Sequence, residues 1–173
     1  MEKKVKRPKI IRNTSITIGE VTVNPGERKT IDLQVGKLYT HSELSMPVQV
    51  WCGKQAGPTL FISAAVHGDE LNGVEIIRRL LKVKSLKYLK GTLITVPIVN
   101  LHGFINHSRY LPDRRDLNRC FPGSKSGSIA GRLAYIFLNE IVTKATHGID
   151  LHTGAINRTN LPQIRADLDN EVV

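Results

Sequence analysis

The sequence contains few cysteines, few aromatic residues and no long hydrophobic run. Its two cysteines, Cys52 and Cys120, are too few for a disulfide framework, so we expect both to be free thiols in a reducing cytoplasm. No stretch of about 18 apolar residues occurs, and no apolar segment of the signal-peptide type follows the basic N-terminus. These absences favour a cytoplasmic protein with no membrane partner.

Acidic residues are also scarce, since 15 Asp and Glu stand against 25 Lys and Arg, a formal charge of +10. Such an excess raises nucleic acid as a partner. The basic residues concentrate in a tail at 1–12 and a segment at 78–90, however, without aromatic interleaving, zinc-finger spacing or a recognisable nucleic-acid motif. We therefore predict a solvated tail and a solvated helix face, with no nucleic-acid partner, although the charge can also attract an anionic substrate.

The apolar pattern predicts strands separated by helices. Strands are indicated at 10–23, 28–35, 48–52, 59–66, 92–99 and 149–152, with a turn at 53–58. Helical spacing predicts one helix that begins with a capping box between Asn72 and Glu75, and a second helix at 128–146. A loop at 100–127 is long enough to suggest a functional role. This order predicts an α/β fold with a mixed, largely parallel sheet flanked by helices.

Two polar segments follow predicted strands and are candidates for a metal site. His67 and Glu70 come directly after the strand at 59–66, and His152 ends the strand at 149–152. Because ligands gather at the carboxyl ends of strands in α/β sheets, we expect both segments at one edge. Two histidines and one carboxylate form a known catalytic zinc set, and Asp69 could orient a ligand. Each segment alone is also typical of a surface turn or a hydrogen-bonded core histidine.

The loop at 109–123 contains four arginines and is too polar to be core. A guanidinium can clamp a substrate carboxylate with two parallel hydrogen bonds, and a second one near zinc could stabilise an oxyanion. The alternative interpretation is a solvated loop whose Asp and Arg side chains pair with each other, which fits Asp113, Arg114 and Arg115 well.

Three segments together resemble the succinylglutamate desuccinylase/aspartoacylase family, within the wider zinc carboxypeptidase-like fold. They are His-Gly-Asp-Glu at 67–70, the segment 109–123 with its Asp-Leu-Asn-Arg core, and Asp-Leu-His-Thr-Gly at 150–154. The order and general spacing match over roughly 45–170. On this resemblance we divide the chain into a basic lead with a β-rich segment at 1–44 and a zinc-hydrolase-like domain at 45–173.

The resemblance implies an enzyme that hydrolyses the amide bond of an N-acyl amino acid, releasing a carboxylic acid and an amino acid. Its implied cofactor is Zn²⁺, and its implied partner is the small-molecule substrate. The acyl group and the amino acid stay open. The implied roles are zinc binding by His67, Glu70 and His152, carbonyl polarisation by Arg109, and binding of the substrate carboxylate by Asn118 and Arg119.

The chain departs from the family pattern at the catalytic base. The family's glutamate lies on a later strand, whereas Glu171 is the only glutamate here after His152. We therefore expect the N-terminal portion of a longer protein, incomplete at its C-terminus, with very weak or no hydrolysis and an open sheet edge that could support a homo-oligomer. A metallocarboxypeptidase and a non-catalytic zinc-containing binding protein are the alternatives.

Overall fold

The structure is a computed structural model that describes residues 11–37 and 40–166. Residues 1–10 of the basic tail and Glu171 lie outside the described residues. The strands are β1 (Ile16–Ile18), β2 (Val21–Val23), β3 (Arg28–Lys37), β4 (Glu43–Cys52), β5 (Gln55–Ala64), β6 (Lys90–Val96) and β7 (His147–Leu151). The helices are α1 (Asn72–Leu80), α2 (Leu101–Ile105) and α3 (Ile129–Glu140), with 3₁₀ turns at Lys84–Tyr88, Leu117–Arg119 and Val142–Lys144.

Five strands form a mixed sheet in the order β3-β4-β6-β5-β7. The β3–β4 and β4–β6 pairs are antiparallel, whereas β5 runs parallel to both β6 and β7. The predicted α/β fold with a mixed sheet is therefore confirmed. The parallel half, β6-β5-β7, directs the carboxyl ends of its three strands to one edge, and this edge carries the candidate site.

The core lies between the sheet and α3. Alternating residues of β4, from Met46 to Cys52, point into it, and β6 is buried continuously from Gly91 to Val96. The predicted helix at 128–146 is α3 followed by the 3₁₀ turn Val142–Lys144. Ser128 caps α3 by accepting a hydrogen bond from the N–H of Gly131. Phe137 of α3 packs edge-to-face against Phe61 of β5.

Several local predictions are wrong in detail. The segment 10–23 holds a hairpin, because Gly19 adopts a φ of +55° and reverses the chain between β1 and β2. The predicted turn at 53–58 is largely strand, since β5 begins at Gln55. The capping box is absent from α1, because Glu75 pairs with Arg78 and Arg79 instead of the helix N-terminus. No helix in the described ranges is long and apolar enough to cross a membrane.

Candidate metal and substrate site

The turn after β5 places the first two candidate ligands. The backbone carbonyls of Ala64 and Ala65 accept hydrogen bonds from the backbone N–H groups of Val99 and Asn100, so this turn is joined to the segment that follows β6. Gly68 lies so close to Gly103 that a Cβ there would be 1.9 Å from the Gly103 carbonyl carbon. The tight backbone approach requires glycine, and it fixes the direction of the residues on either side.

Two of the candidate ligands, His67 and His152, converge on the carboxylate of the third, Glu70. Nδ1 of His67 lies 2.9 Å from Oε1 of Glu70, and Nδ1 of His152 lies 3.0 Å from Oε2. One possible ligand atom from each residue falls within 4.8 Å of the others. His67 and Glu70 are buried, whereas the His152 side chain is 34% exposed. The structure thus brings together residues 67, 70 and 152, as a metal site requires.

The second nitrogen of each imidazole contacts a different carboxylate. Nε2 of His67 lies 3.0 Å from Oδ1 of Asp116, and Nε2 of His152 lies 2.7 Å from Oδ2 of Asp150. Each imidazole therefore lies between two carboxylates, and since an ionised carboxylate only accepts hydrogen bonds, each ring nitrogen must carry a proton or face a cation. Such carboxylate–histidine pairs are the usual surroundings of metal-ligating imidazoles.

The donor set fits a divalent cation. When the N–H of each neutral imidazole is on Nε2 and bonds to Asp116 or Asp150, both Nδ1 lone pairs face oxygens of Glu70, and such contacts are unfavourable unless a cation lies between them. The cluster holds three carboxylates but one guanidinium: Arg109 pairs with Glu70 and Asp116, whereas Asp150 pairs with His152, so acidic groups are in excess around the two imidazoles. Two histidines and one glutamate are a zinc set that leaves the fourth coordination position open.

Arg109 lies beside the ligands. Its Nη1 is 3.3 Å from Oε1 of Glu70, and its Nε and Nη2 are 3.2 and 3.1 Å from Oδ2 of Asp116. The guanidinium side chain is 32% exposed, so it touches both the buried ligands and solvent. The two acidic contacts hold its plane in one orientation.

Charges within the cluster shift two pKa values. The hydrogen bond to Asp150 raises the pKa of His152 against the opposing effect of burial, and the charge of Glu70 adds to the increase. Partial burial opposes ionisation of Asp116, but hydrogen bonds from His67, the Asn118 N–H and Arg109 outweigh it and lower the pKa of that carboxyl. Both shifts favour the charged forms.

The structure places Asn118 and Arg119 next to this cluster but does not join their side chains to it. Both are exposed on the 3₁₀ turn Leu117–Arg119, which begins at Asp116. The Asn118 N–H donates to Oδ1 of Asp116, the same oxygen that contacts His67. Arg119 lines a surface cleft of about 350 Å³ together with Arg115, Cys120 and residues 122–124, and this cleft includes none of the three ligands.

Sequence reasoning missed Asp116 and the role of Asp150, and it misplaced Asp69. Oδ2 of Asp69 accepts a hydrogen bond from the N–H of Ile156, and no contact in the described ranges joins it to a ligand. Asp150 could have been found, because residues two apart near a strand end lie on the same face and Asp150 precedes His152 by two. Asp116 carries no such signal, because it reaches His67 through an irregular loop.

The family model for the succinylglutamate desuccinylase/aspartoacylase catalytic domain matches the sequence at residues 56–172. This match covers the turn at 67–70, the loop at 109–123 and β7 with His152. It therefore includes every residue of the cluster described above.

Similar proteins share this region. N-alpha-acetyl-L-2,4-diaminobutyric acid deacetylase from Halomonas elongata is 32% identical over 99 residues, which are 57% of this chain and 29% of that protein. A crystal structure of a succinylglutamate desuccinylase/aspartoacylase from Rhodobacter sphaeroides is 29% identical with a TM-score of 0.67, over 73% of this chain and 40% of the other. An aspartoacylase family protein from Mesorhizobium loti is 34% identical with a TM-score of 0.66, over 75% and 41%. The chain thus spans less than half the length of these relatives.

Proposed function

Because the chain belongs to the succinylglutamate desuccinylase/aspartoacylase family, we propose that the protein hydrolyses the amide bond of an N-acyl amino acid with a zinc ion held by His67, Glu70 and His152. The observation that carries the proposal is the approach of two Nδ1 atoms, at 2.9 and 3.0 Å, to the two oxygens of one buried glutamate. Zinc in such a set supplies Lewis acidity and lowers the pKa of water toward about 7.

Arg109 polarises the scissile carbonyl in this proposal. A guanidinium has five N–H donors, and three hydrogen bonds to Glu70 and Asp116 leave two of them free. The two acidic partners hold the plane of Arg109 before substrate arrives. Donors fixed in advance stabilise a developing oxyanion without reorganising during the reaction.

The turn at Leu117–Arg119 binds the carboxylate of the amino acid. Support comes from its attachment to the cluster, since Asp116 joins His67 and Arg109 to the backbone of Asn118. Exposure of both Asn118 and Arg119 leaves an amide and a planar guanidinium free for a substrate carboxylate.

The general base lies outside this set of residues. Glu70 faces two imidazoles and Arg109, Asp116 faces His67 and Arg109, and Asp150 faces His152. A carboxylate occupied in this way is poorly placed to take the proton of the attacking water. In this proposal these residues bind and orient the reacting groups, and another group takes the proton; the contacts of the three carboxylates support that division.

The names of the relatives support an acylated amino acid as the substrate class. The Halomonas elongata protein is a deacetylase of N-alpha-acetyl-L-2,4-diaminobutyric acid. The family is named after a succinylglutamate desuccinylase and an aspartoacylase. We extend the shared chemistry to this protein: a small acyl group, an amide and a free carboxylate.

Metal binding is the first test. Calorimetric titration of metal-free chain with zinc should show one ion per chain, and His67→Ala and His152→Ala should each abolish tight binding because two ligands rarely hold zinc. His147→Ala is the matched control, since His147 is exposed on β7 and contacts Thr146 rather than Glu70. Undiminished zinc in both ligand variants would remove the basis of the proposal.

Substrate binding is the second test, and it does not depend on the base. Zinc-loaded chain should bind N-acetyl and N-succinyl amino acids, and chemical-shift changes measure this binding. The corresponding amino acid amides, which lack a free carboxylate, should bind much more weakly. A preference for peptides with a free C-terminus would favour a metallocarboxypeptidase. Zinc binding without affinity for any of these molecules would indicate a non-catalytic zinc protein.

A further inference from the structure

Ser63 is a buried hydroxyl in an otherwise apolar strand end. It is 0% exposed and lies one residue before the end of β5, beside the buried Ala64 and Ala65. Burying a hydroxyl without a partner is unfavourable. In the described part of the chain its side chain has one hydrogen bond, from Oγ to Oδ1 of Asp150, at 2.8 Å.

The sheet itself sets this contact. Ser63 of β5 and Asp150 of β7 are direct partners in the parallel register, so their side chains stand side by side on one face. His152 comes two residues later in the same direction. Ser63 and Asp150 therefore lie side by side on neighbouring strands, and His152 lies at the carboxyl edge of the sheet.

Side-chain contacts connect Ser63, Asp150 and His152 in this order. Oδ1 of Asp150 accepts from Ser63, its Oδ2 contacts Nε2 of His152 at 2.7 Å, and Nδ1 of His152 faces Glu70 at 3.0 Å. Each oxygen of the Asp150 carboxylate thus has one partner. The Asp150 side chain is 32% exposed, so without Ser63 its carboxylate can rotate toward water and release the imidazole.

We propose that Ser63 is a positioning residue for the metal site, which holds Asp150 so that His152 presents Nδ1 to the ion. This inference rests on the proposed zinc site. It adds a residue that touches neither the metal ligands nor the substrate, and that acts through Asp150. Partners that orient a ligating imidazole typically change metal affinity about 10–100-fold when removed.

The test compares zinc affinities of the 173-residue chain. Ser63→Ala should lower the zinc association constant about tenfold, and Ser63→Thr, which keeps the hydroxyl, should restore most of it. Thr95→Val is the matched control, because Thr95 is a fully buried hydroxyl on the neighbouring β6 that bonds to the Gln49 carbonyl. Equal affinity in wild type, Ser63→Ala and Thr95→Val would overturn the inference.

A second measurement separates this inference from the proposed function. In metal-free chain, nitrogen-15 spectra report the hydrogen bonding of Nε2 of His152, and Ser63→Ala should shift that resonance because Asp150 is no longer held in contact with it. If wild-type chain binds no zinc, the proposed function fails, while this readout still decides the role of Ser63. Should Ser63→Ala not fold, Ser63→Cys replaces the hydroxyl by a weak donor, and an unchanged Nε2 resonance there would contradict the inference.

Discussion

Nε2 of His67 lies 3.0 Å from Oδ1 of Asp116, a residue 49 positions further along the chain. The other oxygen of Asp116 holds Arg109, and its backbone begins the turn that carries Asn118 and Arg119. One carboxylate therefore connects a metal ligand, the carbonyl-polarising arginine and the substrate-binding turn of the proposed site.

Asp116→Asn should weaken zinc binding by about 10–100-fold. The amide removes the charge that fixes the His67 imidazole and the Arg109 guanidinium, while it nearly preserves the volume. Calorimetric titration with zinc measures the change. Asp113→Asn is the control, because Asp113 lies in the same loop but accepts from the N–H groups of Ala130 and Arg115. A loss of the same size in both variants would indicate a general effect of charge in the loop.

Arg119→Lys should weaken binding of an N-acyl amino acid to zinc-loaded chain, because an ammonium cannot reproduce the two-point contact of a guanidinium. Loss of a charged partner in a desolvated pair costs about 2–5 kcal/mol, and the conservative change should cost less than that. Dissociation constants from chemical-shift titrations give the effect. Arg114→Lys, an exposed change in the same loop, should leave them unaltered. Matching constants for Arg119→Lys and wild type would assign Arg119 to the solvated loop.

Gly68→Ala should destabilise the fold and disturb the ligand turn. The new Cβ would lie within 2.3 Å of three backbone atoms of Gly103 and Phe104, and backbone cannot move aside as a flexible side chain can. Overpacking of this kind typically costs about 1–3 kcal/mol. Urea unfolding measures it, with Gly36→Ala as the control, since a Cβ at Gly36 would have no atom of the described residues within 4 Å apart from its chain neighbours. A Gly68→Ala chain as stable as Gly36→Ala would mean that the close approach is not maintained in solution.

Glu140→Gln should lower stability at neutral pH by about 0.2–1 kcal/mol, the usual worth of a partly exposed ion pair. Glu140 accepts hydrogen bonds from Lys144 and from the N–H of Gly19, and the second of these joins α3 to the β1–β2 hairpin. The hydrogen bond from Lys144 is the main cause that lowers the pKa of Glu140, and it outweighs the opposing effect of partial burial.

The sign of its pH dependence follows from that direction. Because the folded-state pKa of Glu140 is lowered, its contribution is present above the unfolded value of about 4.3 and is lost as pH falls through the folded value. Unfolding in urea at pH 7 and at progressively lower pH should therefore show the difference between wild type and Glu140→Gln shrink in acid. Glu20→Gln, an exposed change next to Gly19, provides the control. A difference that grows in acid would refute the assignment.

The sequence alone located the three candidate ligands because two general rules apply to them. The apolar run at 59–66 identified the end of β5, and a short strand was predicted at 149–152. Because parallel strands direct their carboxyl ends to one edge, His67, Glu70 and His152 could be expected together. The buried β6 and the amphipathic α3 were predictable for a similar reason, since both carry a clear hydrophobic pattern.

Only the tertiary structure decided which polar groups surround those ligands. Residues 100–127 carry no periodicity, so nothing local indicated that Asp116 reaches His67. Likewise, nothing in the turn at 67–70 indicated that Asp69 accepts a hydrogen bond from Ile156, which lies 87 residues further along the chain. The Ser63 contact depends on the strand register, in which a slip of one residue would move the hydroxyl to the opposite face. Hydrophobic patterning thus determined where the site lies, whereas side-chain hydrogen bonds, which depend on the path of the folded chain at atomic distances, determined how it is held.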